Sequence, residues 1–83
     1  MYKIIFSKSS EKEFLSLENE LQMRISSILL RITINPKNYI ARLSGLDLYK
    51  LRVGNYRIIL DLDEEKKEIL IHKIGHRKNI YDF

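Results

Sequence analysis

Apolar positions along the 83 residues switch between two periods, and the switches mark the elements. Tyr2 to Ser7 ("YKIIFS") alternates loosely and is rich in β-formers, which predicts a first strand. Ser10 stands three residues before Glu13, a capping-box spacing ahead of Phe14 and Leu17, and predicts a short helix from about Glu11 to Leu17. After a break at Glu18–Asn19, the apolar residues Leu21, Ile25, Ile28, Leu29 and Ile32 follow the helical period, so a longer helix runs to about Thr33. Asn35-Pro36 ends it, because proline disfavours helix in the residue before it. Lys37 to Asp47 reads as a connecting loop with Gly45 as its turn residue.

Three strands then follow: Leu48 to Val53, Tyr56 to Leu62, and Glu68 to Ile74. Gly54-Asn55 is a two-residue hairpin turn, and "DEEKK" is a looser one. The tight turn sets a register of Arg52 opposite Arg57, Leu51 opposite Ile58 and Tyr49 opposite Leu60. Alternation then puts Tyr49, Leu51, Val53, Ile58, Leu60 and Leu62 on one face, which suits the helices, and Lys50, Arg52 and Arg57 on the other. His72, inside the third apolar run, is expected as a hydrogen-bonded core or edge residue. Gly75 breaks this strand and releases His76, Arg77, Lys78 and Tyr81 near Arg57. The expected fold is a single α+β domain over residues 1–83: an N-terminal strand, a two-helix hairpin, and a three-stranded antiparallel meander, with both helices on one face of one sheet.

Composition narrows the function classes. The chain is 45% apolar, ample for a core, and has no cysteine, so neither disulfides nor thiolate metal sites are available. This usage fits a reducing cytoplasm. "MYKIIFSKSS" has the pattern of neither a signal peptide nor a membrane span. The net charge is +4, and its placement says more than its size. Arg42, Lys50, Arg52 and Arg57 face one acid, Asp47, in their segment, and Lys73, Arg77 and Lys78 face none in theirs. Asp61 to Glu68 between them is acidic. Two arginines directly opposite each other repel, so stability gives no reason for the arrangement, whereas an anionic partner does. From charge and pattern the surface is anion-binding.

"GLDLYKLRVGNYRIIL" followed by "ILIHKIGHRKNIY" resembles the RelE/ParE superfamily of toxins. The shared frame is a glycine-containing loop, a Lys-x-Arg strand, Gly-x-Tyr-Arg, a β-hairpin, and Gly-His-Arg with a tyrosine four residues on. The resemblance implies the toxin of a type II toxin–antitoxin system. In its RelE branch it implies an mRNA endonuclease working in the ribosomal A site. It matches Lys50, Arg57, Arg77 and Tyr81 to catalytic positions; Lys50, Arg52, His76 and Lys78 of the basic patch are the expected RNA contacts. It implies no metal and no cofactor. A protein antitoxin would be the partner, in a hetero-oligomer, alongside ribosome and mRNA. Two alternatives stay open: a ParE-like inhibitor of DNA gyrase, and a degenerate member that only binds antitoxin or nucleic acid. The sequence departs from the RelE pattern at Leu48, where a further lysine is the rule. It also ends at Phe83, short of a C-terminal helix, so apolar sheet surface is expected to lie open there for the antitoxin.

Metal-free RNA cleavage employs the substrate's 2′-OH as nucleophile. It needs a base for that hydroxyl, an acid for the 5′-oxygen, and positive charge on the phosphorane. Arg57 and Arg77 suit the charge role, since guanidinium groups deliver bidentate charge to phosphate. Tyr81 is the candidate base, and dense positive charge favours its phenolate. Lys50, Arg52 or His76 could supply the acid.

Overall fold

A computed structural model describes residues 1–80. Its elements are β1 (Lys3–Phe6), α1 (Lys8–Leu15), α2 (Asn19–Ile32), a 3-10 turn (Pro36–Asn38), β2 (Ile40–Arg42), β3 (Tyr49–Val53), β4 (Tyr56–Asp63) and β5 (Glu68–His76). Among the described residues five strands form one sheet in the order β1-β5-β4-β3-β2. β1 runs parallel to β5, and the other neighbours are antiparallel. The predicted α+β order stands. β2 was not predicted: it lies within the expected loop, as three residues, Ile40–Arg42, paired along β3. Among the described residues no helix is long and apolar enough to cross a membrane.

Both helices cover one face. Ile25, Leu29 and Ile32 of α2 pack with Leu51, Val53, Ile58, Leu60, Ile69, Ile71 and Ile74 in the main core. Each such side chain, taken fully out of water, contributes about 1.5–3 kcal/mol. The β3–β4 register is the one expected, with Arg52 opposite Arg57 and Tyr49 opposite Leu60.

The first helix is capped differently from the expectation. Ser7, not Ser10, is its N-cap: the Ser7 hydroxyl accepts from the Ser10 N–H at 3.1 Å. Ser10 is buried one turn in, and its hydroxyl donates to the Ile71 carbonyl at 2.8 Å. Glu13 does not close a capping box. Its carboxylate accepts from the Ile74 N–H at 2.9 Å. The reason lies in the sheet. β1 pairs with β5 only as far as Ile71, leaving the next residues of β5 with an open edge. Side chains of α1 take over there and hold the strand that leads to the chain's basic end.

Gly54 carries a positive φ of 59° in the β3–β4 turn. A Cβ there would also come within 3.3 Å of the Arg24 guanidinium. Gly54→Ala is therefore expected to cost about 1–2 kcal/mol, the strain of a left-handed non-glycine residue, measured by urea denaturation. An unchanged midpoint would show that the turn can relax.

Candidate functional site

The face away from the helices is built from three strands. Lys50 and Arg52 of β3 stand across from Ile59 and Arg57 of β4, and Arg57 in turn pairs with Gly75 of β5. A β-bulge lies opposite the step from Ile59 to Leu60: Ile59 pairs with Lys73, while Leu60 pairs with Ile71. His72 is the extra residue; it is exposed, not in the core, and its carbonyl on the open edge of β5 accepts from the Ser7 hydroxyl at 3.3 Å. The bulge resets the alternation, so Ile69, Ile71 and Ile74 all reach the core, while Lys73 and Gly75 share the face of Arg57.

Gly75 does not break the strand as expected: β5 runs on through it to His76, which corrects the placement of His76. It pairs with Tyr56, and their rings meet edge to face at 5.5 Å. Tyr56 in turn pairs with the core residue Val53. His76 therefore stands on the helix side of the sheet, away from Arg52 and Arg57, and does not join the basic cluster. Its Nδ1 accepts from the Lys78 N–H at 3.2 Å.

Arg57 is only 8% exposed. One terminal nitrogen donates to the Gly54 carbonyl at 2.8 Å and to the Tyr56 carbonyl at 2.9 Å. Every fully buried side-chain nitrogen or oxygen among the described residues has a hydrogen bond. The other guanidinium nitrogens of Arg57 bond no described group. One side of the fork is clamped to the hairpin turn, which orients the guanidinium as a donor for an anion. Arg52 opposite it is exposed, and Lys50 beside it is half-buried.

The Arg77 N–H donates to the Asn55 carbonyl at 2.9 Å, carrying the chain past the end of β5 along the hairpin tip. The side chains of Arg77 and Lys78 are exposed. Tyr81 lies outside the described residues. The structure thus joins Lys50, Arg52 and Arg57 on one face and brings the Arg77 backbone to the same hairpin. Arg42 is engaged elsewhere, with Asp47 and over the ring of Tyr49. The acidic turn lies at the opposite end of the β4–β5 hairpin. There a hydrogen bond from Lys37 holds the Glu64 carboxyl below its usual range.

Among the described residues, the apolar sheet surface beside Ile80 is covered rather than open, against the expectation. Leu43, Ile59 and Ile80 form a second small core on this face, with Leu48 packed against it. Ile80 is 1% exposed. A Cβ on Gly75 would sit 3.0 Å from the Ile80 Cδ1, so the glycine is what lets the chain end fold back here. Leu48, where the resemblance called for lysine, contributes packing to this cluster in place of charge. The apolar residues Leu43 and Ile80 lie in segments without strong periodicity, which is why pattern alone did not find them. Two further bases reach the hairpin from α2, Arg24 and Arg31. Their seven-residue spacing, two helical turns, was the available signal.

A small α+β domain has its helices on one face and Lys50, Arg52 and Arg57 gathered on the other, an arrangement suited to an anion. Residues 4–81 match the family described as ParE toxin of type II toxin–antitoxin system, parDE. Toxin RelE3 of Methanocaldococcus jannaschii is 30% identical over 87 residues, covering 98% of this chain and 97% of the relative. The archaeal RelE–RelB complex from Pyrococcus horikoshii contains a chain superposing with a TM-score of 0.80 at 26% identity, over 94% of this chain and 97% of that one. The intact E. coli RelBE toxin–antitoxin complex gives the same TM-score, 0.80, at 21% identity over 92% and 96%, a likeness of fold. The chain belongs to the RelE/ParE family of type II toxin–antitoxin toxins.

Proposed function

We propose that this toxin is an mRNA endonuclease that acts in the ribosomal A site, in the cytoplasm, until a cognate antitoxin binds it. The observation that carries this reading is the half-clamped guanidinium of Arg57, facing Arg52 with Lys50 alongside. Such a face serves a phosphorane better than it serves folding, because like charges placed opposite each other destabilise a sheet. Asp61 is the nearest acid along β4 on that face. It is four residues from Arg57, about 13 Å along a strand, and its carboxylate accepts from the Leu62 N–H. Chemistry at Arg57 therefore rests on positive charge.

In this mechanism a base removes the proton of the 2′-OH, whose oxygen attacks the adjacent phosphorus. The P–O5′ bond breaks, leaving a cyclic phosphate, and an acid protonates the departing 5′-oxygen. Arg57 and Arg77 hold the non-bridging oxygens. Tyr81 takes the base role that its matching position implies. With His76 on the other side of the sheet, the acid falls to Lys50 rather than Arg52, since a guanidinium does not release its proton. The ribosome supplies the geometry of the substrate. The antitoxin reading is supported by relatives solved as RelB–RelE complexes.

A second reading, inhibition of DNA gyrase, is favoured by the ParE description of the matched family. Primer extension on an mRNA translated in a reconstituted system separates the two. Codon-phased cuts are expected. Intact mRNA together with blocked supercoiling by gyrase would replace the first reading with the second.

A further inference from the structure

A second basic feature lies around the hairpin tip from the site just described. A shallow groove of about 330 Å³ runs along the seam between α2 and the β3–β4 turn, lined by Arg24, Ser27, Arg31, Arg52 and Gly54. No acid lines it. Arg24, Arg31 and Arg52 make no ion pair among the described residues. The Arg24 guanidinium lies within 3.3–3.4 Å of where a Gly54 Cβ would be, so the absent side chain is what lets it lie against the turn.

We infer that this groove binds the sugar–phosphate backbone of RNA, as a holding site separate from the phosphate that is cut. Three arginines lining one groove repel one another unless an anion joins them, although Glu18 and Glu20 lie beside Arg24 in the adjoining hollow. Arg24 and Arg31 are seven residues apart on one helix, about 10 Å along its axis, a span that suits phosphates in series. Only Ile28 and Val53 offer apolar lining, too little for the buried anchor on which a protein segment usually depends. Planar forks suit phosphate oxygens, and they read the backbone rather than the bases. Arg52 belongs to both surfaces, so one strand could pass from the groove over the hairpin to Arg57. The choice of RNA over another polyanion rests on the nuclease reading.

The test is fluorescence anisotropy of a single-stranded RNA with the full chain, titrated over salt. For a single strand, each phosphate that is no longer neutralised lowers the slope of log K against log salt by about 0.7, so Arg24→Ala with Arg31→Ala should lower it by about 1.4 and weaken binding on the order of 10-fold at ~0.1 M salt. Arg24→Lys with Arg31→Lys should restore the slope, because counterion release reads charge. NMR of the unaltered protein supplies a variant-free readout: RNA should shift the Nε–Hε resonances of Arg24 and Arg31. Unchanged slope and affinity, silent arginine resonances, or no RNA binding at all would overturn the proposal. Displacement of the RNA by an acidic peptide of equal charge and tighter binding would assign the groove to a protein and overturn it too. Because binding is read on free RNA, a protein that binds through the groove yet never cuts on ribosomes sinks the nuclease reading and leaves the groove standing.

Discussion

Arg77→Ala is expected to lower ribosome-dependent mRNA cleavage by about 10²–10³, the usual effect of removing one transition-state donor, with the fold unchanged. The structural basis is a division of labour within one residue. Its backbone N–H holds the hairpin tip through the Asn55 carbonyl, and alanine keeps that bond. Its side chain is exposed and bonds no described group, so truncation takes away charge and little packing. Lys78→Ala is the internal comparison. Lys78 is equally exposed, and its N–H turns back to His76, so its loss should change cleavage several-fold at most. Single-turnover cleavage on programmed ribosomes, with circular dichroism as the folding control, measures both. Wild-type cleavage by the Arg77 variant would remove the chain end from the catalytic machinery.

The hairpin around Gly54-Asn55 was legible because three independent signals agree there: a two-residue turn, period-two alternation on both sides, and a consistent apolar face. The basic face followed from it, since Lys50, Arg52 and Arg57 fall out of phase with the core. Legibility failed where the chain breaks its own period. Ile69, Ile71 and Ile74 are apolar at offsets of two and three, the mark of one inserted residue, and the bulge at His72 is that residue. Overlooking it puts every later side chain on the wrong face, and reading Gly75 as a strand break groups His76 with the arginines, whereas the strand continues to His76. β2 escaped notice because three residues paired on one side carry too short a pattern to detect. The capping serine was misplaced because Ser7, Ser9 and Ser10 are equally good local caps. The choice among them was made by the unpaired edge of β5, a contact 61 residues away in sequence. The arginines of α2 are a tertiary feature in the same sense: nothing local says that a helix surface will face a hairpin turn.

Arg57 should behave differently from Arg77, and the difference tests how the site is built. Arg57→Ala is expected to lose cleavage by at least ~10² and also to lose stability. The side chain donates two hydrogen bonds to the carbonyls of Gly54 and Tyr56, and a charged donor makes these stronger than neutral ones. The turn carbonyl of Gly54 can recover water, so the cost should fall near 1–3 kcal/mol in all, a fall in Tm of several degrees or more for a domain of this size. Arg57→Lys separates charge from geometry. A lysine ammonium is a point charge and cannot clamp the turn while presenting a second edge to phosphate. It should therefore restore part of the stability and little of the cleavage. Urea denaturation gives the first quantity, and single-turnover cleavage at a temperature where all variants are folded gives the second. If Arg57→Lys cuts nearly as well as the unaltered protein, the fork geometry is irrelevant and the site needs only a field of positive charge. If Arg57→Ala is unstable but cuts normally when folded, Arg57 is a fastening for the hairpin, and the phosphate must be held by Lys50, Arg52 and Arg77 without it.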